Sequence, residues 1–188
     1  MKIPIEVSAR HAHLCQNDID ALFGKDYKLK KMRQLSQPFE FAAEETVSLK
    51  SHTDTLEHVR VIGPAREKTQ VEISRTDAIF LGVDAHVRLS GDIVGSPGII
   101  LIGPAGQVEI VEIKEGLIIA ERHIHCSKEE AKKLNLKDRV SVEIDTERPI
   151  IFKNIKVRVS ENYKLCMHID TDEGNACGIN KLGAGQIL

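Results

Sequence analysis

Nowhere in the 188-residue chain does an apolar run approach the roughly 20 residues that a membrane helix needs, so no membrane-spanning segment is expected. The four cysteines, Cys15, Cys126, Cys166 and Cys177, show no C-x-x-C spacing. That sets aside a zinc finger and a small disulfide scaffold and fits free thiols in a reducing compartment. An excess of one charge is missing too. The 26 basic and 28 acidic residues leave a net charge of −2, which argues against a general nucleic-acid or anionic-membrane surface, so any anion binding must be local. No G-x-G-x-x-G, Walker A or G-x-S-x-G motif occurs, and dinucleotide, P-loop and serine-hydrolase readings gain no support. Met1-Lys2-Ile3-Pro4-Ile5 enters a strand-like pattern without the apolar core of a signal peptide, and a cytoplasmic location is expected.

What remains is the composition of an ordinary globular chain, 41% hydrophobic. Short runs rich in Val and Ile read as strands at 3–7, 46–49, 57–62, 70–73, 87–89 and 99–102. Others follow at 140–144, 150–152, 155–159 and 165–169. Helices are brief: 16–23, 76–81 behind the capping residue Ser74, and 128–134 behind a capping box of Ser127 and Glu130. Closely spaced short strands with few helices predict a mainly β, α+β fold, a barrel or pair of barrels built from mostly antiparallel hairpins. The long period of a doubly wound sheet is absent. Glycine and proline gather late in the first half, so the expected organisation is a first half at 1–90, a crossover at 91–116 and a second half at 117–188. Gly103-Pro104-Ala105-Gly106 reads as a hairpin turn. The tail at 177–188, with three glycines, reads as loosely packed or paired with a partner chain.

Arg-His-x-His occurs twice, as Arg10-His11-Ala12-His13 and Arg122-His123-Ile124-His125. In an extended segment residues two apart point to the same side, so each copy aims two imidazoles at one spot, half of a metal site. The copies belong to a longer repeat in which 8–24 line up with 120–136 at an offset of 112 residues. Further on, Val59-Arg60-Val61 matches Val157-Arg158-Val159, and Val71-Glu72-Ile73 matches Met167-His168-Ile169, which sets Glu72 opposite His168. Each half then offers three ligands: His11, His13 and Glu72 in one, His123, His125 and His168 in the other. Six ligands suffice for two ions. Histidines with a carboxylate suit zinc, and iron, nickel or cobalt accept the same set. Three protein ligands per ion leave a position open, which marks a catalytic centre.

Other residues are read beside these. Cys15 and Cys126, close behind the second histidine of each pair, are either fillers or accessory ligands. His52, His58 and His86 lie outside the repeat and are expected at the surface. The segment 170–175 lacks the acids of a calcium loop. Arg66, six residues before Glu72, is either a solvated turn residue or a guanidinium fork for phosphate oxygens beside a metal.

In these residues the chain resembles the PduL-type phosphate propanoyltransferases, or phosphotransacylases. The segments that carry the resemblance are Val7-Ser8-Ala9-Arg10-His11-Ala12-His13-Leu14, Leu35-Ser36-Gln37-Pro38, Phe41-Ala42-Ala43-Glu44-Glu45-Thr46-Val47, Val59 to Arg66 with Thr69 to Ser74, and Gly91-Asp92 with Ser96-Pro97-Gly98-Ile99. Arg122-His123-Ile124-His125 and Met167-His168-Ile169-Asp170-Thr171-Asp172-Glu173 with Asn175-Ala176 complete the set, in order along nearly the whole chain. The resemblance implies two small β-barrels related by a pseudo-two-fold, with the site between them, usually in a homodimer. It implies reversible transfer of a short acyl group, propanoyl or acetyl, between coenzyme A and inorganic phosphate at a site with two zinc ions. One zinc would take His11, His13 and Glu72, and the other His123, His125 and His168. Arg66 would hold phosphate as the catalytic clamp. Coenzyme A contacts would fall on Val7, Ser8, Ala9, Arg60 and Asn175. Family members commonly read Ser-Asn-Arg-His where this chain has Ser8-Ala9-Arg10-His11. Those housed in microcompartments often carry an amphipathic N-terminal extension; this chain opens on the first strand, so a microcompartment lumen is not indicated. The competing expectation is a zinc-dependent thioesterase or other metallohydrolase, in which the same ligands activate water.

Overall fold

Alternation of buried and half-exposed side chains, the mark of a strand with one face on a core, runs through most of the chain. The computed structural model describes residues 1–104 and 110–188. Its elements begin with β1 (Lys2–Val7), β2 (His11–His13), α1 (Gln16–Phe23), β3 (Lys31–Gln34), β4 (Phe41–Lys50), β5 (Thr55–Gly63) and β6 (Gln70–Ile73). Next come α2 (Arg75–Phe80), β7 (Val87–Arg88), β8 (Ile99–Ile102), β9 (Ile110–Ile113), β10 (Leu117–Ala120) and β11 (His123–Cys126). The chain ends with α3 (Lys128–Lys133), β12 (Arg139–Ile144), β13 (Ile150–Val159), β14 (Cys166–Ile169), α4 (Thr171–Ala176) and β15 (Leu182–Ile187). Among the described residues no helix is long and apolar enough to cross a membrane.

These elements form two compact units. The first comprises Met1–Ala9, Ser36–Pro38 and Glu121–Leu188, and the second Arg10–Leu35 and Phe39–Ala120. In the first unit the sheet closes into a barrel in the order β1-β14-β11-β13-β12-β15. Ile3, Ile5, Ile124, Val142, Ile144, Ile155 and Met167 fill its interior. In the second unit the sheet runs β7-β10-β6-β2-β5-β4-β8-β9, with β3 on β4, and among the described residues it does not close. Ala12, Leu14, Val61, Val71, Leu101 and Leu117 belong to its core. The barrel-based α+β architecture is the one expected.

Hairpins do not build the histidine strands. β2 lies parallel to β5 and antiparallel to β6, and β11 lies parallel to β13 and antiparallel to β14. A further parallel strand flanks each trio: β10 on β6, and β1 on β14. The four-strand motif β10-β6-β2-β5 is thus repeated as β1-β14-β11-β13. The register corrects one alignment made on sequence. His11 pairs with Arg60 and His123 with Lys156, so Arg60 corresponds to Lys156 rather than Arg158, while Glu72 and His168 correspond as expected.

The tail is also corrected. Leu182–Ile187 is not loose: it is β15, which closes the barrel between β1 and β12. Its glycines explain why. A Cβ on Gly185 would lie 2.5 Å from Val142 Cγ1 and 2.9 Å from Ile5 Cδ1, so only glycine lets this strand approach. The runs 150–152 and 155–159 form one strand, β13. Within the expected crossover, β8 and β9 form an antiparallel pair on the β4 edge. Of the hairpin turn expected at 103–106, Ala105 and Gly106 lie outside the described residues.

Candidate functional site

In the second unit the register His11↔Glu72 and His13↔Gln70 puts four polar side chains on one face of β2 and β6. Ala12 and Val71 between them turn into the apolar core. One ligand atom each from His11, His13 and Glu72 lies within 4.8 Å of the others, and all three residues are buried. His11 Nε2 stands 3.5 Å from Glu72 Oε2, and the two imidazoles meet edge to face with centroids 4.9 Å apart. Gln70 holds the carboxylate in place: its Nε2 donates to Glu72 Oε1 at 2.6 Å and to Ser90 Oγ at 2.9 Å, while Gly91 N–H donates to its Oε1 at 2.7 Å.

Burial alone would raise the Glu72 pKa. His11, His13, a hydrogen bond with Ser90 and the Arg66 guanidinium reverse that and hold it at about 2. His13 moves well below its ordinary value, chiefly by burial and then by its neighbours His11 and Arg66. At neutral pH the group is therefore an anionic carboxylate beside a neutral imidazole, the states in which these side chains bind a divalent cation.

Arg66 follows β5 through the cis Gly63–Pro64 bond, and its backbone N–H donates to Leu14 O at 2.9 Å, which ties it to the end of β2. Its Nη2 pairs with Glu40 Oε1 at 2.9 Å and its Nη1 donates to Ser90 Oγ at 3.4 Å. The Arg66 side chain is partly exposed and engaged by Glu40 and Ser90. Glu40, Gln70 and Ser90 had no motif to announce them, although Gln70 sits two residues before Glu72 on the same strand face.

The first unit repeats the pattern. His123 pairs with His168 and His125 with Cys166, while Ile124 and Met167 turn into the barrel interior. The three imidazoles cluster, with centroids 4.6 Å apart for His123–His125, 5.3 Å for His123–His168 and 5.1 Å for His125–His168. His123 Nδ1 lies 2.8 Å from Glu121 O; as that nitrogen's donor bond it leaves Nε2 as the ligand atom, the usual support for a metal-bound histidine. Tyr163 covers His125 at a centroid distance of 4.1 Å. Gln37, held by the Lys164 backbone, comes within 3.5 Å of His168 Nε2. Glu6 faces His168 Nδ1 at 3.9 Å and accepts a hydrogen bond from Ser36. Burial, with Glu6 nearby, pushes the Cys166 thiol up to about 12. The His11, His13 and Glu72 set thus fits a divalent cation by chemistry and by burial, whereas His123, His125 and His168 offer three nitrogen donors on clustered rings, His168 half-buried, and are not among the groups of described residues whose ligand atoms converge within 4.8 Å.

The remaining expected residues are placed as follows. Val7 ends β1 and Ser8 follows it, their N–H groups bonded to Lys181 O and Ile169 O, and Ala9 after them is exposed. Asn175 is exposed on α4, next to Gly174, where an added Cβ would meet the Val7 side chain at 2.8 Å. Arg60 lies in the second unit with Nη1 on the carbonyls of Ala43 and Glu44 at 3.0 and 2.8 Å. Cys15 precedes α1 and Cys126 is buried with its thiol toward Arg158 O; among the described residues neither joins a ligand cluster. His52, His58 and His86 are exposed, as expected. The segment 170–175 is no calcium loop: Asp170 caps α4.

Comparison with known proteins adds a second line. The profile of a family described as phosphate propanoyltransferase matches residues 4–180. A phosphate propanoyltransferase of Listeria monocytogenes is 44% identical over 188 residues, covering 99% of this chain and 87% of the relative. One from Thermotoga maritima is 46% identical over 181 residues, covering 95% and 85%. One from Clostridioides difficile is 42% identical over 188 residues, covering 99% and 88%.

Proposed function

Because this chain belongs to the phosphate propanoyltransferase family, we propose that it transfers a short acyl group, propanoyl or acetyl, reversibly between coenzyme A and inorganic phosphate. The observation that supports this most directly is the company Arg66 keeps: a phosphate-type guanidinium fork beside a buried, anionic Glu72 flanked by two histidines.

His11, His13 and Glu72 would hold one zinc ion, and His123, His125 and His168 a second. Bound there, zinc supplies Lewis acidity toward a carbonyl or phosphoryl oxygen. The chain's own residues do the rest. Arg66 exchanges Glu40 for phosphate and orients one phosphate oxygen toward the thioester carbonyl. That oxygen forms the new bond to the acyl carbon as the carbon–sulfur bond breaks, and coenzyme A leaves as the thiolate. Gln70 and Ser90 keep Glu72 from turning away, and Glu121 fixes the His123 tautomer. An acyl-enzyme is not required, since three of the four thiols are buried and burial pushes Cys126 and Cys177 upward. Val7, Ser8, Ala9, Asn175 and Arg60 are the proposed coenzyme A contacts, and a homodimer in the cytoplasm completes the reading.

The test is consumption of propanoyl-CoA with and without phosphate. We expect phosphate-dependent loss of thioester and equimolar acyl phosphate. Arg66→Ala should raise the phosphate requirement and cut turnover by two or more orders of magnitude, a range set by loss of a positioned charge-stabilising donor at about 10²–10³. Phosphate-independent release of free acid would point instead to a thioesterase, and unchanged phosphate kinetics in Arg66→Ala would remove that residue from the site.

A further inference from the structure

The internal repeat supplies its own control for one feature of the first unit. At the corner of the second unit equivalent to Cys166 stands Gln70, fully engaged with Glu72, Ser90 and Gly91. At the position equivalent to Glu6 stands Ile118, which pairs with Glu72 as Glu6 pairs with His168. That corner is a glutamine clamp and an aliphatic side chain, with no further metal ligand among the described residues. In the first unit both positions carry donors. Glu6, Cys166 and His168 each present one ligand atom within 4.8 Å of the others, with Cys166 buried and the other two half-buried. Strand alternation explains the convergence: Cys166 and His168 are two apart on β14, and Glu6 lies beside His168 on the parallel strand β1.

We infer that Glu6, Cys166 and His168 form a thiolate-bearing cation site that shares only His168 with the three-histidine set. A sulfur, nitrogen and oxygen donor group selects a thiophilic divalent ion such as zinc, cobalt or cadmium over magnesium or calcium. On binding, the Cys166 S–H bond breaks, its proton passes to solvent and a sulfur–metal bond forms, with no change of oxidation state. Because His168 is common to both donor sets, one ion drawn to Cys166 competes with an ion held by His123 and His125. The inference concerns ligands, not acyl transfer, so it stands apart from the proposed activity.

Full-length protein, stripped of metal and titrated with cobalt(II), reads the site directly. The expected result is a near-ultraviolet thiolate-to-cobalt charge-transfer band that disappears in Cys166→Ser, survives in Cys15→Ser, and survives in the double variant His123→Ala/His125→Ala. Glu6→Gln, which keeps size and polarity, should weaken cobalt binding at that band by on the order of tenfold. No band in the parent protein, a band retained in Cys166→Ser, or an affinity untouched by Glu6→Gln would overturn the assignment. Loss of the band in the double histidine variant, with its circular dichroism unchanged, would overturn it too, because the thiol would then serve only the three-histidine set.

Discussion

A divalent cation requires neutral imidazoles and ionised carboxylates, and single side chains around Glu72 and His13 enforce both states. The corresponding support in the other unit is the Glu121 carbonyl behind His123. In a Cys166→Ser background, which removes the thiolate as an alternative ligand, His123→Ala should therefore hold one metal equivalent fewer by elemental analysis, whereas Arg66→Ala should keep the parent count; full retention in Cys166→Ser/His123→Ala would refute the ligand. A second residue-scale prediction concerns Tyr27, whose hydroxyl donates to Glu45 Oε1 at 2.7 Å, a bond that lifts its pKa from 10.0 to about 12. A group raised on folding stabilises the folded state below its ordinary value and ceases to do so as pH climbs through the raised one, here between 10.0 and about 12. Absorbance titration should show Tyr27 ionising late, and Glu45→Gln should bring it back; no late component would show the bond absent. The six candidate ligands were legible in the sequence because period-2 spacing and repetition both mark them. Glu40, Ser90 and Glu6 were not, since a partner reached from another segment leaves no trace in local spacing; Gln70 had only its place two residues before Glu72 to mark it.

The elements explain the arginine that opens each Arg-His-x-His segment. Arg10 pairs with Asp77 at 2.6 Å, and Arg122 pairs with Glu173. Asp77 and Glu173 are the third-position acids of the capping boxes on α2 and α4, the helices that follow the strands bearing Glu72 and His168. Each arginine thus fastens the entry of one ligand strand to the helix leaving the other, which fixes their register. Removing Arg10 leaves Asp77, with a side chain only 4% exposed, without its cation. Arg10→Ala should cost about 1–2 kcal/mol, seen as a lower denaturation midpoint with an unchanged slope, and Arg10→Lys should recover part of it. An unchanged midpoint would make the pair ornamental to stability. Element boundaries were readable where pattern and punctuation agree: α1, β6 and β8 fall where expected. The helix α4 was not, because Thr-Asp-Glu-Gly-Asn-Ala has no apolar stripe and a glycine in its middle. β15 was hidden by glycines that tertiary approach requires.

At the scale of the whole molecule, the strand preceding each Arg-His-x-His segment belongs to the other unit. β1 leads into β2 yet joins the barrel beside β14, and β10 leads into β11 yet lies beside β6. Local patterning carries no sign of this exchange: β1 reads as an ordinary apolar strand in either place, and 117–120 is not among the strands expected from sequence. In each unit the apolar core and the donor set occupy opposite faces of the same strands: Ile124 and Met167 against His123, His125 and His168, Ala12 and Val71 against His11, His13 and Glu72. Folding is driven by the apolar face, where each fully buried Val, Ile, Leu or Met side chain contributes about 1.5–3 kcal/mol, and the donors ride on its back. Metal removal should therefore abolish acyl transfer without unfolding the sheets. A chelator-stripped sample is expected to keep its far-ultraviolet circular dichroism and a cooperative melt at a lower midpoint, and added zinc should raise that midpoint with concentration as mass action demands. Collapse of the β signal on stripping would instead make the cations part of the core's own stability, as in small zinc-dependent folds.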